Sequence, residues 1–214
     1  MRYKNIIFDL DGVLVFTDEY HYAAWKSIAD RLKIPFDENI NNRLRGVSRM
    51  ESLEIILSYS EKQFTSAEKE SMAAEKNDIY KSYLKNLTPD SINTETIEML
   101  NTLTAMGIGL AIGSSSKNAE FILKKTGITH YFKAIACGNK IKKTKPDPEV
   151  FLLAAQLLGA DPKDCLVVED AHAGVHAAHA GGFDCVGMGD AYSSNLATYK
   201  IKGIGEICGI AKQQ

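Results

Sequence analysis

The chain lacks the features that mark membrane proteins and small secreted proteins. No apolar run in its 214 residues approaches the roughly 20 residues that a membrane span needs. The N-terminal sequence reaches Asp9 too early to hold the apolar core of a signal peptide. Four cysteines, at positions 137, 165, 185 and 208, lie far apart and form no CxxC pair, which favours reduced thiols over zinc ligands or disulfides. We therefore expect a cytoplasmic protein without a membrane partner.

The chain also has a small net charge and no internal repeat. Its net charge of −2 and its pI near 6.2 give no indication of a nucleic-acid partner. It has no internal repeat, and the glycines at 107, 109 and 113 do not form the GxGxxG pattern of dinucleotide-binding proteins. With 45% hydrophobic and 24% charged residues it has an ordinary globular composition, and its length suits one large or two modest domains.

The predicted secondary structure changes along the chain. Only helices are predicted over about residues 18–87. Asp18 can cap the first helix, Leu53, Ile56 and Leu57 mark the second, and residues 66–84 form the third. From about 92 onward, helices alternate with apolar strands at 108–112, 134–136, 165–168 and, as the last core strand, 185–187. The first strand precedes the helical block, which is therefore an insertion. We predict a doubly wound, Rossmann-like parallel α/β core at 1–16 and 89–214, with an all-helical cap domain at 17–88.

The most informative residues are Asp9 and Asp11, in the segment FDLDGVL directly after the apolar run Ile6-Ile7-Phe8. Open α/β sheets bind ligands where their strands end. Buried carboxylates there need a compensating cation, and Mg²⁺ takes carboxylate oxygens together with substrate phosphate. One carboxylate can then attack phosphorus while the other moves a proton. The alternative is an ordinary strand-to-turn junction with Asp and Gly as turn residues.

Three further groups of residues also follow predicted strands. The Ser-rich segment 114–118 offers hydroxyls and backbone amides that can hold phosphate, although a plain helix cap has the same composition. Lys145 precedes the turn Pro146-Asp147-Pro148 and can neutralise phosphoryl oxygens, unless it is one of several solvated lysines. The pair Glu169-Asp170 would complete a Mg²⁺ site with Asp9. Taken together, in this order, the groups favour a phosphate-transfer site over the ordinary alternatives.

This ordered set resembles the haloacid dehalogenase superfamily over essentially the whole chain. The resemblance implies a Mg²⁺-dependent phosphotransferase that works through a phosphoaspartate, and the presence of Asp11 argues against dehalogenase chemistry. By this resemblance, Asp9 is the nucleophile and a metal ligand, and Asp11 is the general acid/base and a metal ligand through its backbone carbonyl. Ser114 and Lys145 bind the phosphoryl group. Glu169 and Asp170 are further metal ligands.

The predicted cap narrows the resemblance to the β-phosphoglucomutases, which interconvert β-glucose 1-phosphate and glucose 6-phosphate through a bisphosphate. The matching segments are 17–21, Trp25, 45–49, Ser52 and 76–78 in the cap and 116–118 in the core. A bisphosphate needs a second phosphate site, for which Arg49 with 116–118 is the candidate, because a guanidinium can bind phosphate bidentately. The substrate-binding residues implied are His21, Trp25, Gly46, Val47, Arg49, Ser52, Lys76, Ser115, Ser116, Lys117 and Asn118.

Two positions depart from the family pattern. Phe16 stands where an Asp is usual, in the first linker to the cap, and Ala171 stands where a Ser is common. Thr17, His21 and Lys76 resemble the hinge and cap residues that position Asp11 after closure. Without that resemblance, His21 would be interpreted as a surface histidine and Arg49 as a solvated arginine.

Three functions remain open from the sequence. The first is a β-phosphoglucomutase, the second a sugar-phosphate phosphatase whose phosphoaspartate is attacked by water, and the third a non-catalytic binding protein. The third is disfavoured because the catalytic residue types are all present, and the distal clamp at Arg49 distinguishes the first two. The histidines at 172, 176 and 179 share a helical face that could bind a transition metal, but an exposed face is favoured. We expect a monomer that acts on a small sugar phosphate.

Overall fold

A parallel β-sheet forms the centre of the molecule. The structure, a computed structural model, describes residues 2–212, so the predicted outer bounds of the core at 1 and 214 lie outside the described residues. Within that range the strand order is β3-β2-β1-β4-β5-β6, with all pairs parallel. The strands are β1 (Asn5–Phe8), β2 (Gly109–Gly113), β3 (Ala134–Ala136), β4 (Cys165–Glu169), β5 (Asp184–Gly187) and β6 (Tyr199–Lys200).

Helices cover both faces of the sheet, as a doubly wound fold requires. Ile6 and Phe8 pack on one face against α5 (Thr94–Ala105), α6 (Ala119–Thr126) and α9 (Ile207–Lys212). Ile7 packs on the other face against α7 (Glu149–Leu158) and α8 (His172–Ala180). Side chains alternate along a strand, so covering both faces requires the continuous apolar run Ile6-Ile7-Phe8. The predicted α/β core is confirmed.

The chain between β1 and α5 forms the helical cap. Its helices are α1 (Asp18–Leu32), α2 (Glu38–Asn42), α3 (Arg49–Leu57) and α4 (Ser66–Leu84). They enclose an apolar core of their own that includes Trp25, Ile28, Leu53, Ile56 and Met72. Capping boxes begin α3 at Ser48 and α4 at Thr65. The inserted all-helical cap is thus observed, while its division from the core at 16/17 and 88/89 stays a prediction.

Some predicted element boundaries are wrong. The residue that precedes α1 is Thr17, not Asp18, and Thr17 makes no capping bond because its hydroxyl donates to Asp11 instead. The turn Asp147-Pro148 leads directly into α7, which begins at Glu149, and the Asp147 carboxylate accepts a hydrogen bond from the Glu149 amide at 3.0 Å. The predicted last strand is followed by β6, whose two residues are too few to give a periodic pattern.

The structure adds an observation on membranes and on cysteines. Among residues 2–212, no helix combines the length and the apolar character needed to cross a bilayer. The cysteines are free thiols, of which Cys137, Cys165 and Cys185 are buried and Cys208 is half-buried. The expectation of reduced cysteines therefore agrees with their positions.

Candidate active site

The end of β1 brings Asp9 beside the end of β4. The Asp9 amide donates a hydrogen bond to the Val168 carbonyl at 2.9 Å, which continues the pairing of the two strands. The chain then turns at Gly12, which has a φ of +86°, and a Cβ there would collide with the carboxylate of Asp170. Glycine adopts positive φ without strain and leaves room for close approach. Gly12 therefore allows the β1 loop to lie against the acidic end of β4.

Three buried carboxylates form a cluster at this edge of the sheet. One oxygen from each of Asp9, Glu169 and Asp170 lies within 4.8 Å of the others. Burial raises the pKa of Glu169 to about 7. Burial, with repulsion from Glu169 and Asp9, raises the pKa of Asp170 to about 9. A bound cation would remove this electrostatic penalty, and a set of oxygen donors suits a hard divalent ion.

Lys145 supplies a fixed positive charge beside the cluster. Its side chain is buried, and its ammonium group contacts both Asp9 and Glu169. Burial alone would lower the pKa of Lys145, but the two carboxylates outweigh it and raise the pKa above the usual range. Lys145 is therefore charged throughout the physiological pH range. It can hold phosphoryl oxygens that approach Asp9.

Asp11 lies in the β1 loop and has hydrogen-bond partners on the cap side. The Thr17 hydroxyl donates to Oδ1 of Asp11, and the Tyr80 hydroxyl lies 3.5 Å from the same oxygen. Burial and the charge of Asp9 raise the pKa of Asp11 to about 7. A carboxyl group with that pKa can both give and accept a proton near neutral pH. This pKa is the property that a general acid/base needs.

The loop after β2 has the groups of a phosphate site. The Ser114 amide donates to the Ala136 carbonyl at 3.1 Å, so strand pairing holds the start of the loop. The Ser114 hydroxyl accepts from the Ser116 amide at 3.1 Å, and the Ser116 hydroxyl accepts from the Asn118 amide at 3.2 Å. Within the described chain, the buried Ser115 hydroxyl has no hydrogen-bond partner. The hydroxyls of Ser114 and Ser116 accept in these bonds and keep their own hydrogens, so they and Ser115 can donate to an anion.

The cap contributes basic side chains from three helices: His21 in α1, Arg49 in α3 and Lys76 in α4. Lys76 Nζ lies 2.9 Å from His21 Nδ1, 4.8 Å from the centre of the Trp25 ring and 4.7 Å from that of the Tyr80 ring. Burial and the charge of Arg49 lower the pKa of Lys76 to about 7. Burial, Lys76 and Arg49 together lower the pKa of His21.

In the described part of the chain, Lys76 and Arg49 lack a carboxylate at salt-bridge distance. Over residues 2–212, neither Lys76 nor Arg49 forms a salt bridge. An anionic ligand would offset both their mutual repulsion and part of the cost of burial. The cap therefore holds a second group of basic side chains, separate from Lys145 at the core side of the cavity.

Cap and core together enclose a cavity of about 290 Å³. Every residue that the sequence placed in the site lines it, although their roles stay predictions: Asp9, Asp11, His21, Trp25, Gly46, Val47, Arg49, Ser52, Lys76, Ser114, Ser115, Ser116, Lys117, Asn118, Lys145, Glu169 and Asp170. Ala171 also lines the cavity, whereas Phe16 is 61% exposed and is absent from the lining. The side chains of His172, His176 and His179 are exposed on α8, as the favoured interpretation of that motif predicted.

The lining also includes residues that the sequence did not assign to the site. Among them are Asp18, Arg45, Tyr80 and Thr144. A helical signal could have identified Tyr80, because it lies one turn after Lys76 in α4. Sequence adjacency could have identified Thr144, next to Lys145, and Arg45, next to Gly46. The partners of Arg45 lie far from it in sequence, so only the folded chain reveals them.

Family membership follows from comparison with known proteins. The family model described as haloacid dehalogenase-like hydrolase matches residues 6–188. The chain belongs to this family. The superfamily resemblance drawn from FDLDGVL, Ser114, Lys145 and Glu169-Asp170 is thereby confirmed.

Relatives within the haloacid dehalogenase-like family include mutases and phosphatases. The chain is 43% identical over 188 residues to a β-phosphoglucomutase of Bacillus subtilis (strain 168), covering 87% of this chain and 83% of that protein. A crystal structure of β-phosphoglucomutase from Clostridium difficile superimposes with a TM-score of 0.90 at 36% identity, covering 96% and 93% of the two chains. A fructose-1-phosphate phosphatase of Escherichia coli (strain K12) is 30% identical over 185 residues, or 86% of this chain and 96% of that protein.

Proposed function

We propose that the chain is a β-phosphoglucomutase, which interconverts β-D-glucose 1-phosphate and glucose 6-phosphate through a phosphoaspartate on Asp9 and a sugar bisphosphate. The observation that carries this proposal is that one cavity contains two sets of anion-binding groups. Ser114 and Lys145 lie at the core side beside Asp9, and Arg49 and Lys76 lie in the cap. A phosphatase acting on one phosphate needs only the first set. Similarity to two β-phosphoglucomutases supports the assignment.

We propose Mg²⁺ as the metal held by Asp9, Glu169, Asp170 and the backbone carbonyl of Asp11. The oxygen-only donor set and the raised carboxyl pKa values support this ion. When bound, Mg²⁺ supplies positive charge against the phosphoryl oxygens. Lys145 supplies a further positive charge from the protein itself.

The first transfer moves the phosphoryl group from phospho-Asp9 to the sugar. The bond from the Asp9 oxygen to phosphorus breaks while a bond from the sugar 6-oxygen to phosphorus forms. Asp11 accepts the proton of that hydroxyl, for which its raised pKa is suited. The product is the 1,6-bisphosphate, and Asp9 is again a free carboxylate. Arg49 and residues 116–118 hold the phosphate that does not react.

The second transfer requires the bisphosphate to bind in the opposite orientation. The Asp9 carboxylate then attacks the 1-phosphate, and the bond from phosphorus to the sugar 1-oxygen breaks. Asp11 returns its proton to that oxygen, which leaves glucose 6-phosphate and a phosphorylated Asp9. The 1-phosphate and the 6-phosphate therefore each occupy the core site and the cap site in turn. A site with equivalent anion-binding capacity at both ends suits this exchange.

Product analysis tests the proposal. The enzyme is incubated with β-glucose 1-phosphate, Mg²⁺ and a trace of glucose 1,6-bisphosphate, and the products are separated chromatographically. Glucose 6-phosphate formed without matching inorganic phosphate supports the mutase. Free glucose with stoichiometric inorganic phosphate contradicts it and identifies a sugar-phosphate phosphatase. The Asp9→Asn variant is the control for contaminating activity.

We further propose that the enzyme acts as a cytoplasmic monomer without nucleic-acid or membrane partners. One chain contains both sets of anion-binding groups that the proposed reaction uses, which supports a monomer. Light scattering during size-exclusion chromatography should give a mass near 23.5 kDa. A mass near twice that value would contradict the monomer.

A further inference from the structure

Arg45 joins the cap to the core beside the acidic cluster. It lies in the loop between α2 and α3, and its guanidinium donates to Asp18 at 2.6 Å and to Asp190 at 3.1 Å. Asp18 is the first residue of α1 in the cap, and Asp190 follows β5 in the core. One side chain therefore bridges two acidic groups that belong to different parts of the molecule.

The backbone next to Arg45 rests directly on the core. Gly46 has a φ of +76°, and a Cβ there would lie 3.2 Å from the Cβ of Ala173 and 3.3 Å from that of Ala171. Those neighbours lie at the start of α8, directly after Asp170. Arg45 is thus held at a contact between cap and core and does not have to extend through solvent.

The charges around Arg45 favour its position at this contact. Its Nη1 lies 4.0 Å from an Asp170 oxygen, and its side chain is 28% exposed. Its Nε is buried and lacks a hydrogen-bond partner in the described chain. If the cap moved away from the core, Arg45 and Asp18 would move together and leave Asp190 without its cation. Opening therefore separates opposite charges and leaves excess negative charge on the core.

We propose that Arg45 is a positioning residue that holds the cap closed over the core through its ion pair with Asp190. It acts on the equilibrium between closed and open cap, and it does not touch the reacting atoms. The other hydrogen bonds across this boundary have uncharged donors: Asn118 donates to Asn77 at 3.1 Å, Thr144 donates to Glu51 at 3.0 Å, and the Thr17 and Tyr80 hydroxyls contact Asp11. Arg45 therefore provides a contact between full opposite charges, whose contribution to closure depends most strongly on salt.

Acrylamide quenching of Trp25, the only tryptophan of the chain, can measure closure without substrate. Trp25 lines the cavity and is 2% exposed in the closed arrangement, so opening should increase its quenching. The variants are Arg45→Met, Asp190→Asn and the double variant, with small-angle X-ray scattering as a second measure. Arg43→Met is the matched control, because Arg43 is exposed and contacts Tyr59 within the cap.

Each single variant should lower the closed-to-open ratio roughly two- to five-fold, the range for partly exposed ion pairs. The double variant should be no more open than Arg45→Met, because both changes remove the same ion pair. In 1 M NaCl, where the Debye length is about 3 Å, the wild type should approach the variants and Arg45→Met should change little.

Two results would overturn the proposal. If Arg45→Met opens the cap but Asp190→Asn does not, Arg45 acts through Asp18 within the cap. If neither variant differs from Arg43→Met, the ion pair makes no contribution to closure. Circular dichroism and thermal unfolding identify any variant that fails to fold, in which case Asp190→Asn and the salt dependence of the wild type still decide the question. Quenching needs no turnover, so failure of the proposed mutase activity would leave this test intact.

Discussion

Thr17, the residue that precedes cap helix α1, donates its hydroxyl hydrogen to the Asp11 carboxylate of the core. This bond explains why Thr17 does not cap α1. It also stabilises the charged form of Asp11 against burial and the repulsion of Asp9, which raise its pKa. The junction between core and cap is therefore connected to the proposed acid/base by a single hydrogen bond.

The first prediction concerns this bond and Asp11. Asp11→Asn should lower turnover by roughly 100- to 10,000-fold, the usual range for a general acid/base, with little change in Mg²⁺ affinity. Thr17→Val removes a donor to the carboxylate, so the pKa of Asp11 should rise and the acidic limb of the kcat/KM profile should move to higher pH. Mg²⁺ affinity and turnover falling together in Asp11→Asn would instead indicate that this side chain is mainly a metal ligand.

The second prediction concerns the nucleophile. Asp9→Asn keeps a group that can accept from Lys145, so we expect a folded protein with no phosphoenzyme and no turnover. Labelled acetyl phosphate followed by acid quenching and peptide mapping measures the covalent intermediate. The wild type should carry the label on Asp9. A label on any other residue would refute the assignment.

The third prediction concerns the second phosphate site. A hydrogen bond to a charged group is worth about 1.5–3 kcal/mol, so Arg49→Ala should slow conversion of β-glucose 1-phosphate by roughly 10- to 150-fold. Phosphorylation of Asp9 by acetyl phosphate should hardly change, because that donor has no second phosphate. Arg43→Ala, an exposed arginine of the same cap, is the control and should behave as the wild type in both assays.

Two other results in the Arg49 experiment have clear meanings. Equal losses in both reactions would mean that Arg49 contacts the transferring phosphate or that the protein needs it to fold. No loss in either would make Arg49 a solvated arginine and favour a phosphatase. Only a selective loss with the sugar phosphate agrees with a bisphosphate intermediate.

The fourth prediction concerns metal and pH. Asp170 has an unfolded-state pKa near 3.8 and a folded pKa raised to about 9, so the metal-free folded state binds more protons between these values. Stability of the metal-free protein should therefore fall as pH rises from about 4 to about 9. At pH 8, Asp170→Asn should stabilise the metal-free protein by at least about 1 kcal/mol, or about 2–4 °C in Tm.

Thermal unfolding with EDTA or with Mg²⁺ measures this effect. Mg²⁺ should raise the Tm of the wild type at pH 8 and should have a smaller effect on Asp170→Asn. Asp161→Asn removes an exposed carboxylate and serves as the control for the change in net charge. A Tm of Asp170→Asn below that of the wild type in EDTA would show that the carboxylate is not under electrostatic strain without metal.

Local sequence determined much of the architecture. The apolar run Ile6-Ile7-Phe8 predicted a buried strand because side chains that alternate between two covered faces must all be apolar. The long charged stretch 66–84 was predicted as a helix and matches α4 at its observed bounds, where a capping box at Thr65 fixes the start within a few residues. The short α2 and β6 were not predicted, since so few residues define no period.

The composition of the proposed site was also determined by sequence, because strand ends in a parallel sheet must meet at one edge. Asp9, Ser114 and Glu169 each follow or end such a strand, and their meeting required only the order of strands. Likeness to β-phosphoglucomutases, drawn from cap motifs such as that around Arg49, is confirmed by the comparisons.

Only the tertiary structure decided how the cap meets the core. The contact of Arg45 with Asp190 joins residues 145 positions apart, and Asn77 meets Asn118 across the cavity boundary. The burial that raises the pKa of Asp11 and lowers that of Lys76 likewise depends on the cap lying over the core. Periodicity and capping describe interactions within one element, whereas the electrostatics of an enclosed cavity depend on which distant elements exclude water from it.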